Sequence, residues 1–348
     1  MKTFDCEHCG ERLFFENTSC LACGSAVGFV PEHLVVSAFH QTPQGTFAVV
    51  GDKSGRLWKK CRNYVEENVC NWMLPADSAE GYCPSCRLNE VIPDLSAGNN
   101  HALWAKMEAA KRRLTFSLLR LRLPVLSKED NPERGLAYRF LADPDDDFAQ
   151  TRRILTGHDG GVITINIAEA DDAVREKMRL DMREVYRTLL GHFRHESGHY
   201  YWDRLFADTG REPEFRAVFG DEREDYGAAL QRHYANGPPP EWQERHITSY
   251  AAAHPWEDWA ETWAHYLHIT DTLETACHNG IEIRTTEGRH IVREPFRESF
   301  AAVAQDWLAL RFILNSLNRS MGLNDPYPFV MSLAVIDKLT FIHDFLRQ

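Results

Sequence analysis

The sequence predicts an α+β protein in which a small cysteine-rich module precedes a mainly helical domain with a small sheet. Three observations support this prediction. Eight of the nine cysteines lie within the first 86 residues, which marks that segment as a separate metal-dependent module. Later in the chain, helical periodicity predominates, and residues 161–167 alternate as a β-strand does. The loop PDLSAGNN separates the two parts, so we predict domains over residues 1–96 and 97–348.

The first four cysteines have the spacing of a zinc ribbon. Two CxxC pairs are separated by ten residues, and each pair forms a tight knuckle whose thiolates point at one metal. Gly10 and Gly24, each directly after a pair, fit the positive φ that such knuckles require. Four thiolates make a closed, structural zinc site with no open position for chemistry. The predicted ligands are Cys6, Cys9, Cys20 and Cys23.

The second set of cysteines is spaced more loosely and contains a single CxxC pair. Four further thiols within so short a segment favour a second structural zinc. Cross-bracing between the two sets stays open, because spacing does not decide which thiolates share a metal. Both metals should contribute folding energy to a segment too small to fold well without them. The predicted ligands are Cys61, Cys70, Cys83 and Cys86.

Helical patterns account for most of the remaining chain. Asp171 or Asp172 is placed to cap the helical stretch that leads to the central histidines. The segment GPPP interrupts the pattern afterwards. The predicted helices cover 102–121, 172 to about 206 with one break, 241–249, 256–269 and, with one break near 324–326, the last fifty residues.

The string His195-Glu196-Ser197-Gly198-His199 is the strongest catalytic motif. Residues four apart lie on one face of a helix, so both imidazoles can bind a single zinc. Glu196 is turned about 100° away and can serve as general base to a zinc-bound water. The longer pattern with a third histidine is excluded, because Trp202 and Leu205 occupy its glycine and histidine positions. An acidic third ligand from a later helix remains.

The helix predicted over residues 256–269 supplies that acidic ligand. Glu257 and Glu261 share one side with alanines that permit close helix approach, and Trp259 and Trp263 occupy the opposite side. Two carboxylates on a buried face require a cation or hydrogen-bond donors. We therefore expect one of them to bind zinc and the other to bind a ligand imidazole.

Three other interpretations stay open at this point. The acidic side of the helix could be a solvated stripe without a metal. His265 or His268 could replace a carboxylate as the third ligand. His192, one turn before the motif, could compete as a ligand, but we expect it to be a polar neighbour.

The segments HFRHESGHYYW and TSYAAAHPWEDWAETWAHYLH resemble a zinc-binding metallopeptidase family that carries an N-terminal zinc ribbon. This resemblance extends over nearly the whole chain and includes CNWMLPA, CRLNEVIPDL and AKRRL. Over the active-site helices alone, the pattern is also similar to the gluzincin-type site of the anthrax lethal factor peptidase domain. The resemblance implies a zincin-like metallopeptidase domain after the ribbon.

The same resemblance implies roles for individual residues. Glu257 corresponds to the zinc ligand, and Glu261 to the residue that supports a ligand histidine. Tyr250, seven residues before the ligand glutamate, corresponds to a tyrosine that polarises the tetrahedral intermediate. Gluzincin-like enzymes also have an edge strand that pairs with extended substrate, and the strand at 161–167 lies at the corresponding place in the chain.

Together these residues predict a zinc-dependent metallopeptidase with one catalytic and two structural zinc ions. His195, His199 and Glu257 would leave the fourth zinc position to water, whose pKa the metal lowers toward 7. Glu196 would take the proton, and Tyr250 would stabilise the oxyanion. Two alternatives are a catalytically silent zinc-ribbon scaffold and a zinc amidase that acts on a non-protein substrate. Intact Glu196 and Tyr250 favour the enzyme over the scaffold.

Charge and targeting signals limit the partners. A formal net charge of −12 argues against nucleic-acid binding, which needs cations to displace counterions. The N-terminus lacks the apolar segment of a signal peptide, and no stretch has the length of a transmembrane helix. We therefore expect a cytoplasmic protein whose partners are a peptide or protein substrate and, through the zinc ribbon, a protein partner.

Overall fold

The α+β fold class is confirmed. The chain forms two compact units, Lys2–Val174 and Arg175–Gln348. The boundary predicted between residues 96 and 97 lies inside the first unit, in which the cysteine-rich segment packs with the helix and sheet that follow it. The domain limits 1–96 and 97–348 stay predictions of the sequence. The computed structural model describes residues 2–143, 156–181, 184–285 and 288–347.

Two antiparallel sheets form the cysteine-rich part of the first unit. Strands β1 (Phe4–Asp5) and β2 (Arg12–Leu13) pair within the first cysteine set. A five-stranded sheet follows, with the short helix α1 (Arg62–Val65) before its last strand. The prediction did not include this sheet. Its strands, in sheet order, are β3 (Ala26–Val30), β4 (Val35–Gln41), β5 (Phe47–Val49), β6 (Trp58–Lys60) and β7 (Met73–Pro75).

The five-stranded sheet curls until its first and last strands approach each other. The Phe29 amide donates to the Asn71 carbonyl at 2.8 Å, and Phe29 forms a bridge with Trp72. Gly28 permits this approach, since a Cβ atom there would lie 2.8 Å from the Cγ of Met73. The rings of Phe15, Phe29, Trp72 and Phe116 then pack together in the core of the unit.

A long helix and a second sheet complete the first unit. Helix α2 (Asn100–Arg120) confirms the prediction for 102–121. The strand expected at 161–167 is also present, but its expected edge position is wrong. It lies between two neighbours, one antiparallel and one parallel, so both of its sides are paired. In sheet order the strands are β10 (Gly157–Asp159), β11 (Val162–Asn166), β9 (Ala137–Leu141) and β8 (Asn89–Val91).

The second unit is mainly helical. Asp171 caps α3 as predicted, because its Oδ1 accepts hydrogen bonds from the amides of Ala173 and Val174. None of the helices in the described ranges combines the length and the apolar character needed to cross a membrane. The helices are α3 (Asp172–Asp181), which begins in the first unit, α4 (Leu189–Leu205), α5 (Glu212–Phe219), α6 (Tyr226–Asn236), α7 (Pro255–His278), α8 (Phe300–Ser320) and α9 (Leu333–Phe345).

Two predicted helices differ from the structure. The helix expected over 241–249 is wrong, since this range holds only the short 3-10 turn Trp242–Glu244, and a second 3-10 turn, Tyr250–Ala253, follows it. The helix expected over 256–269 is present but continues to His278. After it, the antiparallel strands β12 (Glu282–Thr285) and β13 (Gly288–Ile291) form a small hairpin.

Helices α4 and α7 pack closely at the centre of the second unit. The expected separation of aromatic and alanine faces on α7 is wrong. The indole of Trp259 donates to the Gly198 carbonyl at 2.8 Å, and that of Trp263 to Ser197 Oγ at 3.1 Å. Both tryptophans therefore face α4, as Ala260 does. This contact fixes the distance between the helices that carry the candidate metal ligands.

We expect Gly198→Ala to destabilise the second unit by about 1–3 kcal/mol, the range for overpacking a tight core. A Cβ atom at this position would lie 2.8 Å from the Cα of Ala260, which is backbone and cannot rotate away. Chemical denaturation measures the effect. Gly227→Ala on α6 is the control, since the nearest atom to its Cβ is at 3.5 Å, and it should stabilise by about 0.4–1 kcal/mol. Equal stability of the Gly198 variant and the wild type would contradict the prediction.

Candidate metal centres and active site

Helix α4 presents two imidazoles to one point. The Thr188 side chain caps its start by accepting from the Gly191 amide at 3.1 Å. Four residues separate His195 from His199, so the helix places one above the other. Their Nε2 atoms lie 3.2 Å apart, and both side chains are largely buried.

Helix α7 brings a carboxylate to the same point. Glu257 lies in its first turn, after His254, whose ring accepts from the Trp256 amide at 3.1 Å. Glu257 Oε2 lies 3.1 Å from Nε2 of His195 and 3.5 Å from Nε2 of His199. This buried oxygen accepts no hydrogen bond of good geometry from the described residues.

The three donor atoms fit a zinc ion. Tetrahedral zinc with bonds of about 2.0–2.2 Å separates neighbouring nitrogen and oxygen ligands by about 3.3–3.5 Å. The distances among His195, His199 and Glu257 match this value closely. A buried carboxylate oxygen with no donor is otherwise energetically unfavourable, and a cation removes that penalty.

Glu261 lies where it can orient one of the ligands. One turn after Glu257 on α7, it accepts a hydrogen bond of 2.6 Å from Nδ1 of His195. Donation from Nδ1 leaves the Nε2 lone pair of His195 for a metal. Glu257 and Glu261 therefore occupy different places, one at the donor atoms and one behind a histidine.

The carboxylates and imidazoles of the site stabilise each other's charged forms. Burial acts to lower the pKa of His195, but the carboxylates of Glu257 and Glu261 outweigh it and hold that pKa well above its usual value. Burial acts to raise the pKa of Glu257, but the imidazoles of His199 and His195 outweigh it and hold that pKa well below the usual range. The carboxylate charge that attracts a proton to His195 also attracts a divalent cation.

Glu196 keeps a charged carboxylate beside the histidines. Its Oε1 lies 3.2 Å from Nε2 of His192, one turn earlier on α4. Burial acts to raise the pKa of Glu196, but the contact with His192 and the other imidazoles lowers it overall. His192 is thus a polar neighbour and does not join the three donor atoms. An ionised Glu196 can accept a proton at neutral pH.

Two tyrosines lie beside the candidate metal ligands, and the sequence indicated one of them. The ring of Tyr250 lies 6.0 Å from the ring of His195. Tyr226, at the start of α6, donates its hydroxyl to Oε1 of Glu257 at 2.6 Å. Burial and the charge of Glu257 raise the pKa of both hydroxyls, so both are protonated at neutral pH. No motif marks Tyr226, because it meets Glu257 only through folding.

The structure does not bring His265 or His268 to the donor atoms. The ring of His265 forms a hydrogen bond of 2.7 Å with the Tyr327 hydroxyl, and burial lowers its pKa to about 4. The ring of His268 packs against Trp307 and Tyr327. Both histidines therefore belong to the packed interior between α7 and the segments after it.

The first cysteine set converges on one point in the β1–β2 module. Its Sγ atoms lie 3.8 Å apart for Cys6 and Cys23 and 3.6 Å apart for Cys9 and Cys20. Zinc–sulfur bonds of about 2.3 Å place tetrahedral sulfurs about 3.8 Å apart, whereas a disulfide joins them at about 2.05 Å. Gly10, at φ +77°, ends the first knuckle as expected.

The second cysteine set forms a separate, fully buried cluster, so the sets do not cross-brace. The Sγ atoms of Cys70 and Cys83 lie 3.8 Å apart. Two backbone amides donate to sulfurs of this cluster, that of Trp72 to Cys70 Sγ at 3.4 Å and that of Cys83 to Cys61 Sγ at 3.3 Å. The four members are Cys61, Cys70, Cys83 and Cys86.

We expect Glu257→Gln to weaken zinc binding at the candidate site of His195 and His199 much more than Glu261→Gln does. The first change removes a charged oxygen that faces both histidines. The second loosens the orientation of His195, a change that lowers metal affinity by about 10–100-fold. Competition with a chelator measures both affinities. Full zinc in both variants, with loss in His265→Ala or His268→Ala, would show that the ligand assignment is wrong.

A chain with these two tetrathiolate clusters and a His-His-Glu donor group falls in the class of zinc-binding proteins. It belongs to the family described as "Putative zinc-binding metallo-peptidase", whose model matches residues 100–345. A zinc-ribbon domain matches residues 3–97. The family thereby supports a hydrolase preceded by a zinc ribbon.

Its relatives include uncharacterized proteins of Mycobacterium bovis and of two Mycobacterium tuberculosis strains, CDC 1551 and H37Rv. Each is 42% identical over 344 residues, which covers 99% of this chain and 94% of the relative. The chain and these relatives thus share both the ribbon and the helical part. No solved structure gives a significant match.

Proposed function

We propose that this protein is a zinc-dependent metallopeptidase of the gluzincin type, with one catalytic and two structural zinc ions. The observation that carries the proposal is the convergence of His195, His199 and Glu257 beside the ionised carboxylate of Glu196. Three protein ligands leave a fourth position open, as a catalytic zinc site requires. The two cysteine clusters have four protein ligands each and suit structural zinc.

When bound, zinc supplies a Lewis acid that lowers the pKa of water and polarises a carbonyl. The residues of the chain bind the metal, orient its ligands and transfer the proton. His195, His199 and Glu257 hold the metal, and Glu261 keeps the imidazole of His195 oriented. Glu196 takes a proton from the attacking water and passes it to the leaving amine.

Tyr250 is the proposed donor to the oxyanion. Its phenol lies beside His195 and stays protonated, so it can donate a hydrogen bond as negative charge develops on the substrate oxygen. Such a donor contributes on the order of 10²–10³ to the rate.

The proposal extends to partners and location. The substrate is a peptide or protein, and the N-terminal ribbon offers a surface for a protein partner. Eight cysteines in tetrathiolate clusters suit a reducing compartment, which supports a cytoplasmic location. The net charge of −12 does not favour nucleic acid as a partner.

The test is cleavage of a random peptide library by purified protein, with and without removal of the labile zinc by a chelator. We expect cleavage that stops on chelation and returns on addition of zinc. Products read by mass spectrometry define the bond that is cut. Activity on acylated small molecules or cell-wall fragments, with no peptide cleavage, would favour an amidase. No hydrolysis of any of these substrates would favour a scaffold.

A further inference from the structure

Tyr226 makes a short hydrogen bond to the candidate metal-ligating carboxylate. Its hydroxyl donates to Oε1 of Glu257 at 2.6 Å. An O–H group that donates to a charged oxygen gives bonds of about 2.5–2.7 Å, so this contact is of the strong, charge-assisted kind. The other oxygen, Oε2, is the one that lies 3.1 and 3.5 Å from His195 and His199. The two oxygens of Glu257 thus have different partners.

The fold holds the phenol of Tyr226 in place. Asp225 caps α6 by accepting from the Ala228 amide at 2.9 Å, which fixes the first turn that carries Tyr226. The ring then packs edge-on against His254, at 5.3 Å, and Trp256, at 5.6 Å. These residues lie three positions and one position before Glu257 in the chain, so the same local structure positions the donor and the acceptor.

A carboxylate can offer a metal either one oxygen or two. Binding through both would occupy the position that water and substrate need, whereas binding through one keeps it open. A hydrogen bond to one oxygen makes that oxygen a poorer ligand and directs the other toward the metal.

We propose that Tyr226 is a positioning residue of this metal centre, which engages Oε1 of Glu257 so that only Oε2 is offered to zinc. The inference rests on the proposed function, since it concerns the same site. Helix α6 carries no metal-binding motif, yet in this inference it controls how Glu257 coordinates the metal.

The test compares Tyr226→Phe with Tyr234→Phe in the full-length protein. Tyr234 lies on the same helix and is 64% exposed, so its variant is a matched control. The labile zinc is removed with a mild chelator, and zinc or cobalt(II) is titrated back. We expect Tyr226→Phe to bind zinc about 10–100-fold more weakly and Tyr234→Phe to match the wild type. In Tyr226→Phe, Oε1 of Glu257 is free to bind cobalt as a fifth ligand atom, so the visible absorption bands of the bound cobalt should weaken.

An unchanged zinc affinity together with an unchanged cobalt spectrum in Tyr226→Phe would overturn the inference. Asp225→Ala is a second test, because loss of the cap loosens the turn that carries Tyr226. Its zinc affinity and cobalt spectrum should change in the same direction as those of Tyr226→Phe, but by less. Retention of the cysteine-bound zinc and of the helical circular dichroism shows that each variant is folded.

These metal readouts separate this inference from the proposed function, because they use no peptide. Peptide cleavage by the wild type, with metal binding unchanged in Tyr226→Phe, would overturn the role of Tyr226 alone. A changed cobalt spectrum in Tyr226→Phe supports that role even when no peptide is cleaved, and in that case only the peptidase proposal fails.

Discussion

Glu196→Gln should keep all of its zinc and lose nearly all peptide hydrolysis. The change preserves size and helix propensity but removes the carboxylate that accepts the proton, and a general base contributes about 10²–10⁴ to the rate. Zinc is retained because Glu196 is not among the three donor atoms that converge. Cleavage of a peptide found in the library screen, with zinc content measured in parallel, tests both expectations.

The control for this variant is Glu214→Gln on α5. Glu214 is exposed and pairs with Arg211 at the surface, where such a pair contributes little to stability. This variant should cleave peptide at the wild-type rate. Undiminished cleavage by Glu196→Gln would indicate a contaminating protease and would contradict the proposed role of Glu196 as general base. Loss of zinc from Glu196→Gln would show that the carboxylate supports metal binding instead.

Replacement of Cys61 and Cys83 by Ser should unfold the first compact unit. Both thiols are fully buried in the second cluster, and structural zinc contributes an apparent 10–16 kcal/mol, about the whole stability of a domain. The zinc content should fall from three per chain to two or fewer. The zinc proposed at the third site should remain, because its candidate ligands, His195, His199 and Glu257, all lie in Arg175–Gln348. Metal analysis and limited proteolysis measure the outcome.

Two further variants calibrate this experiment. Cys277→Ser removes the one cysteine outside the clusters and should leave the zinc content and the proteolysis pattern unchanged. Cys6→Ser with Cys9→Ser should release the zinc of the first cluster, where Cys9 is exposed, and unfold the N-terminal module while the catalytic zinc stays bound. Three zinc ions per chain in the Cys61 and Cys83 variant would contradict the structural role of the second cluster.

The three groups of candidate metal ligands were largely predictable because local geometry brings many of their members together. Two histidines four apart on α4 share a face in any helix, and a CxxC pair presents two thiolates in any knuckle. Glu257 and Glu261 stood out because two carboxylates beside alanines on a buried helix need a partner. The structure places those residues together, including Glu261 behind His195.

Features that depend on packing between distant segments were not predictable in this way. The strand at Val162–Asn166 was expected from alternation, but alternation does not tell whether a neighbour lies on one side or on both. The segment at 241–249 has a helical pattern, yet it forms short turns in the structure. Periodicity is a weak signal over so few residues.

The sequence by itself determined the class of the fold, from composition and periodicity. It also determined the CxxC pairs and the imidazole pair, because each of these rests on spacing within one short segment. Tertiary structure decided how the eight cysteines divide into two sets, and it placed Gly198 against Ala260. It also brought Tyr226 to Glu257 across 31 positions of sequence. Contacts between elements depend on how whole surfaces pack, and a single pattern along the chain does not encode that packing.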